Sequence, residues 1–188
     1  MRRGKKTIGK DARRSRSGSL DTAPGVRARA GRGTPAELAF LERALHEAWN
    51  AKAWHGPTLR GSLRQMGAGE AAKRPGKGRH SIWELALHCA YWKHRVRCRI
   101  TGDESRFERT PSNFPDPPAE RSEQAWKADL ALLDRTHASL MAAMRALDAS
   151  ALDAPAPRRS RRDQILGIAF HDIYHAGQIR LIRKLVER

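Results

Sequence analysis

The chain has 188 residues, a formal net charge of +17 and two cysteines. That length suits one domain of ordinary size with an extension. Two cysteines exclude a disulfide-built scaffold, and no window approaches the ~18 continuous apolar residues of a membrane span. The charge is uneven. Residues 1–33 hold eleven Lys and Arg against only Asp11 and Asp21, and so carry +9 of the total with almost no large apolar side chain. Such a segment cannot bury enough surface to offset its ordering entropy, and we read it as a disordered basic extension. It lacks the apolar core of a secretory signal. It is either a solvated tail, an upstream start, or a strand of charge that contacts nucleic acid; only through it is nucleic acid a partner.

The domain is expected over residues 34–188. Thr34-Pro35-Ala36-Glu37 is a helix start, with Thr34 as N-cap, Pro35 at the first helical position and Glu37 closing a capping box. Leu38, Leu41, Leu45, Ala48 and Trp49 follow at helical spacing, and Gly56-Pro57 breaks the helix. Leu59, Leu63 and Met66 line a short helix ahead of a Gly-, Lys- and Arg-rich loop over residues 67–79. Ser81 and Glu84 form a second capping box, and Ile82, Leu85, Ala86, Cys89, Trp92, Val96 and Ile100 give the stripe of a long helix ended by Gly102. Cys89 and Cys98 both fall on it, about 13 Å apart on opposite sides, so they cannot pair. Free thiols fit a reducing cytoplasm.

Residues 103–121 contain Pro111, Pro115, Pro117 and Pro118 with the aromatic Phe114, and read as a rigid loop of the kind that walls a site. Trp126, Leu130, Leu133, His137, Leu140, Met141, Met144 and Leu147 mark a third long helix. Ser160 restarts the chain into a fourth, with Ile165, Ile168, Ala169, Ala176, Ile179, Ile182 and Val186 inward. No window reads as strand. The expected fold is all-α, a four-helix bundle.

The chemistry lies in His171-Asp172-Ile173-Tyr174-His175-Ala176-Gly177-Gln178-Ile179. His171 and His175, at i and i+4, share a helix face. With His88 from the second long helix, three neutral imidazoles on antiparallel helices suit a half-open metal site. Glu does not follow His171, so this is no His-Glu-x-x-His zinc-protease helix. Asp172 orients a histidine or pairs with another helix. Glu84 is either a general base one turn before His88 or only a capping residue. Gln178 sits near the ligand edge and can bond a substrate or a ligand, whereas Tyr174 is expected to pack. His137 reads as a hydrogen-bonded core histidine, His46 and His94 as solvated, His80 as surface, and His55 as a site-wall residue.

Ala53-Trp54-His55-Gly56-Pro57, His80-Ser81-Ile82-Trp83-Glu84-Leu85 leading to His88, Tyr91-Trp92-Lys93, Thr101-Gly102, Pro111-Ser112-Asn113-Phe114-Pro115 and the His171–Ile179 stretch together resemble the DinB-like family of metal-binding four-helix bundles. The resemblance spans about residues 36–188. It implies that His88, His171 and His175 hold a divalent metal, zinc or nickel, with water completing the shell. It further implies a metal-dependent hydrolase or a thiol-dependent transferase acting on a small molecule, with a low-molecular-weight thiol as one partner. The alternatives are a non-catalytic, metal-stabilised bundle and nucleic-acid binding through the tail. A homodimer is a further expectation, and no membrane partner is.

Protons compete for histidine lone pairs, so metal-dependent stability is expected to fade between roughly pH 7 and 5 if the unperturbed value of ~6.5 applies. Deleting residues 1–33 is expected to leave the melting temperature nearly unchanged, since the segment has little apolar area to bury. Thermal unfolding of the truncated chain checks this, and a large drop would make the segment integral to the fold.

Overall fold

A computed structural model describes residues 33–154 and 159–187. Six α-helices and a 3-10 turn follow in order: α1 Pro35–Trp49, α2 Leu59–Ser62, α3 Ala68–Ala72, α4 Ile82–Thr101, α5 Glu123–Arg145, the 3-10 turn Ala149–Asp153, and α6 Arg161–Val186. The four long helices are those expected, and the described residues contain no strand. The caps fall where the sequence puts them. Thr34 with Glu37 and Ser81 with Glu84 each form a complete capping box. Ser160 caps α6 through its hydroxyl, as expected, and Ser122, which the sequence reading left unassigned, does the same for α5. Gly102 closes α4 in the left-handed region at φ 76°, where a side chain would be strained.

Two details differ from expectation. Helix α1 stops at Trp49, well short of Gly56-Pro57, with Asn50 as its C-cap. The Gly-, Lys- and Arg-rich stretch begins with the short helix α3, which the glycines obscured. Most of the proposed N-terminal extension lies outside the described residues, but Gly33 is within them. A Cβ there would meet the Ala149 carbonyl and Leu152, so the chain enters α1 pressed against the 3-10 turn.

Helix direction follows from the core. One apolar cluster holds Leu59, Leu63, Ile82, Trp83, Leu87, Trp126, Leu133 and Ile179. A second holds Leu41, Leu45, Val96, Ile100, Leu140, Met144, Ile165 and Ile168. Helices α4 and α5 both pass from the first cluster to the second; α6 passes from the second to the first. Helices α4 and α5 are therefore parallel neighbours, and the connection between them must return along the bundle. That requirement explains the length of the Pro-rich segment. Arg109 pins it by pairing with buried Asp129 of α5 at 2.8 Å, whose other oxygen accepts from Trp83 Nε1 at 2.8 Å.

Between the two clusters each of these helices changes from apolar to polar. Lys93 of α4 and Asp172 of α6 are both fully buried and form an ion pair. The Lys93 ammonium also donates to His137 Nδ1 of α5 at 3.3 Å and lies 4.9 Å from the Trp49 ring centre. His137 stacks on Trp49 at 4.1 Å. Thus Asp172 pairs with another helix, and His137 is the bonded core histidine its position suggested. Burial raises the Asp172 carboxyl and Lys93 beside it pulls it back.

Removing one charge of a buried pair strands the other. Lys93→Met is expected to lower unfolding free energy by about 3–5 kcal/mol. The double variant Lys93→Met/Asp172→Leu should recover much of the loss. Chemical denaturation checks both, and a double variant no better than the single one would mean that the pair stabilises beyond its own partners.

Candidate metal centre

The three histidines singled out from sequence meet beside this polar layer. His88 comes from the first half of α4; His171 and His175 lie one turn apart on antiparallel α6. His88 Nε2 is 3.0 Å from His171 Nε2, and His175 Nε2 is 3.1 Å from the same atom. His88 and His175 are buried and His171 is half-buried. Two nitrogens each ~2.0–2.1 Å from one ion stand no more than about 4 Å apart, so these separations fit a shared ion.

The protonation of each ring supports the same fit. His88 Nδ1–H donates to the Asn113 carbonyl at 2.6 Å. A carbonyl only accepts, so the proton sits on Nδ1 and the lone pair on Nε2. His175 Nδ1 meets the Gln178 amide oxygen at 2.7 Å, while Gln178 Nε2 donates to the Tyr174 hydroxyl at 2.9 Å. His175 therefore also turns an Nε2 lone pair inward. His171 Nε2 faces both, and one proton there satisfies only one of them. Its Nδ1 is buried without a partner among the described residues. A cation at this point would accept all three lone pairs.

Burial keeps the rings neutral. It is the largest cause of the lowering of His88 to about 4, against the Asn113 bond, which raises it. It likewise lowers His171 to about 3, helped by the neighbouring His175, His88 and Lys93. His175 is lowered by burial and partly restored by Gln178. Neutral imidazole is the form that ligates metal.

The crossing loop forms the wall. Phe114 lies between two rings, 4.0 Å from His88 and 4.0 Å from exposed His80. Asn113 adopts φ 71°, a left-handed conformation that asparagine tolerates better than most residues. This turns its carbonyl to His88 and its side-chain oxygen to Trp92 Nε1 at 2.9 Å. Asn113 is the residue that sequence reasoning did not assign. Its signal was an asparagine inside Pro-Ser-Asn-Phe-Pro, where positive φ is expected.

Other candidates settle elsewhere. Both Glu84 oxygens are occupied, one by the Ser81 backbone N–H at 2.8 Å and the other by Arg74, with His80 3.4 Å away. Tyr174 does not pack; it is 62% exposed and serves Gln178 through its hydroxyl. His46 is exposed as expected, but His94 is half-buried, with Nε2 2.9 Å from the Ser105 carbonyl. His55 lies with Trp54 and Phe170 in a separate surface hollow. Cys89 and Cys98 are free and buried, and burial raises the Cys89 thiol well above its ordinary value. No helix among the described residues is long and apolar enough to cross a membrane.

No curated protein matches the chain. A solved structure, the crystal structure of the conserved protein of locus from Enterococcus faecalis, aligns with a TM-score of 0.55 at 17% identity, covering 84% of this chain and 99% of that one. At that identity the likeness concerns the fold alone. The sequence pattern of the DinB superfamily matches residues 53–179, a span that holds α4, α5, the crossing loop and all three converging histidines. The chain belongs to the DinB superfamily.

Proposed function

We propose that the protein binds a divalent metal through His88, His171 and His175 and uses it in a hydrolytic or thiol-transfer reaction on a small molecule. The observation that carries this reading is the convergence of three Nε2 atoms, that of His171 lying 3.0 Å from His88 and 3.1 Å from His175. Two of them are on rings whose Nδ1 is tied back, His88 by Asn113 and His175 by Gln178. Zinc or nickel suits an all-imidazole donor set. Three protein donors rather than four favour an open centre over a structural one. When bound, the ion supplies Lewis acidity that activates water or a thiol near neutral pH. The chain's own groups then orient and exclude. Asn113 and Gln178 fix ring orientation, as partners of ligating histidines do elsewhere. Phe114 and Trp92 keep water from the His88 side. Glu84 and Asp172 are each committed to basic partners, so neither is offered to the centre as a free base.

Elemental analysis of the purified protein should find about one divalent ion per chain. An ion present at 100 times its dissociation constant adds about 2.7 kcal/mol to stability, or roughly 5–10 °C in melting temperature for a domain of this size. A chelator should remove that increment. His175→Ala should abolish the response, whereas His137→Ala should destabilise the core and leave it intact. The reverse pattern would overturn the ligand assignment.

Acid should act on the metal-free fold through the same rings. Their folded values lie below the unfolded ~6.5, so below that pH the unfolded chain binds protons that the native state refuses. The contribution is complete above about pH 6.5 and is lost as pH falls toward about 4 for His88 and about 3 for His171. His137, lowered to about 2 chiefly by burial, adds to it. Melting temperature of the chelated protein should therefore begin to fall near pH 6.5, above the carboxylate range. Metal should stay bound well below the pH 7 to 5 window that unperturbed histidines imply, because protons compete at the native values. A melting temperature flat down to pH 5, or metal released by pH 6, would contradict the burial of these rings.

A further inference from the structure

A cavity of about 190 Å³ runs between α4 and α6 and opens at its inner end on His171. Its walls are mostly apolar, Trp92 and Val96 from α4 and Ile168 from α6, with buried Gln164 adding an amide oxygen that has no partner among the described residues. Its outer rim carries Arg99 and Arg159, both exposed. Neither has a carboxylate within ion-pair distance among the described residues, whereas Arg97, Arg109, Arg162 and Arg183 all do. Arg99 rests on Trp92, its guanidinium 5.8 Å from the ring centre. Arg159 is held at the rim through its backbone, where Gln164 Nε2 donates to the Arg159 carbonyl at 3.1 Å. The one acid on the rim, Asp163, lies in the first turn of α6, so the mouth is net positive.

We infer that this cavity is a substrate pocket for a small carboxylic acid, or an acid-bearing substrate, whose apolar chain lies between Trp92 and Ile168. The carboxylate is held by Arg99 and Arg159 at the rim, and the reacting end is directed to the histidine centre. This inference rests on the metal reading above and names the substrate class for it. The guanidinium fork matches a carboxylate in shape as well as charge. A volume below the ~300–1,000 Å³ of drug-sized pockets limits the ligand to a short chain. Along α4 the 11 residues from His88 to Arg99 span about 16 Å, which the long arginine side chain shortens from the rim inward. Gly167 lies on this lining with nothing within 4 Å of an added Cβ, so its missing side chain leaves the cavity open.

Isothermal calorimetry on the metal-loaded full chain, with metal content measured in each sample, tests the assignment. Hexanoate should bind at least tenfold more tightly than hexanamide, which has the same shape without the charge. The double variant Arg99→Gln/Arg159→Gln should weaken hexanoate at least tenfold, with hexanamide unaffected. Gly167→Leu should weaken both by filling the cavity. It should also keep the circular-dichroism spectrum and melting temperature, because it replaces glycine with a better helix former at an open position. Equal binding of acid and amide, or undiminished hexanoate binding in the double arginine variant, would overturn the pocket assignment. The two readings fail separately. If His175→Ala loses metal yet keeps arginine-dependent hexanoate binding, the pocket stands. If it loses hexanoate while the arginine variants do not, the acid sits on the ion and the pocket assignment falls. A chain that binds no metal but keeps the arginine dependence overturns only the metal reading.

Discussion

The buried pair of Lys93 and Asp172 sets the arrangement of everything around it. It joins α4 to α6 at the level where the apolar core divides, and both members are fully buried. A charged pair at that depth costs desolvation energy that its attraction only partly offsets, so stability alone is a weak reason for it. Its geometric effect is stronger. Asp172 follows His171 directly, and Lys93 lies five residues after His88. Fixing the one pair therefore fixes the register of α4 against α6 at the level where the histidines must meet. A slide of either helix by one turn would separate them and leave two charges without partners.

Much of this was legible in the sequence because the relevant signals are local. A hydroxyl N-cap and a glutamate three residues on are physical consequences of unpaired backbone N–H groups, and Thr34, Ser81 and Ser160 mark helix starts for that reason. The i, i+4 spacing of His171 and His175 needs no tertiary information. The pairing with His88 rested on the predicted antiparallel helices and on resemblance, and the core clusters supply the reason: α4 and α6 run in opposite directions. What remained hidden depended on contacts distant in sequence. Asn113 is 25 residues from the ring it orients. Tyr174 read as a packing residue because its exposure depends on which neighbours α6 finds. Trp49, the last residue of α1, meets His137 and Lys93, contacts that no capping rule contains.

Lysine at position 93 shows how pattern and context can diverge. In the stripe of α4 it occupies a place where an apolar residue would extend the core without interruption. Read alone, it is a polar residue on a helix. Its neighbours on two other helices, Asp172 and His137, convert that interruption into a polar layer. The same layer supplies part of the positive field that helps keep His171 neutral.

The crossing loop follows from topology, since parallel α4 and α5 require a connection that returns the length of the bundle. In passing the midpoint it lends its Asn113 carbonyl to His88. That bond exists only while the proton occupies Nδ1, and the lone pair then points from Nε2 into the centre. Loop order and donor direction are thus coupled at this one contact. Withdrawal of the Asn113 carbonyl frees the imidazole to rotate, while Trp92 and Asp129 still hold the loop by bonds of their own. The wall of this bundle and the direction of its histidine donors meet at a single hydrogen atom.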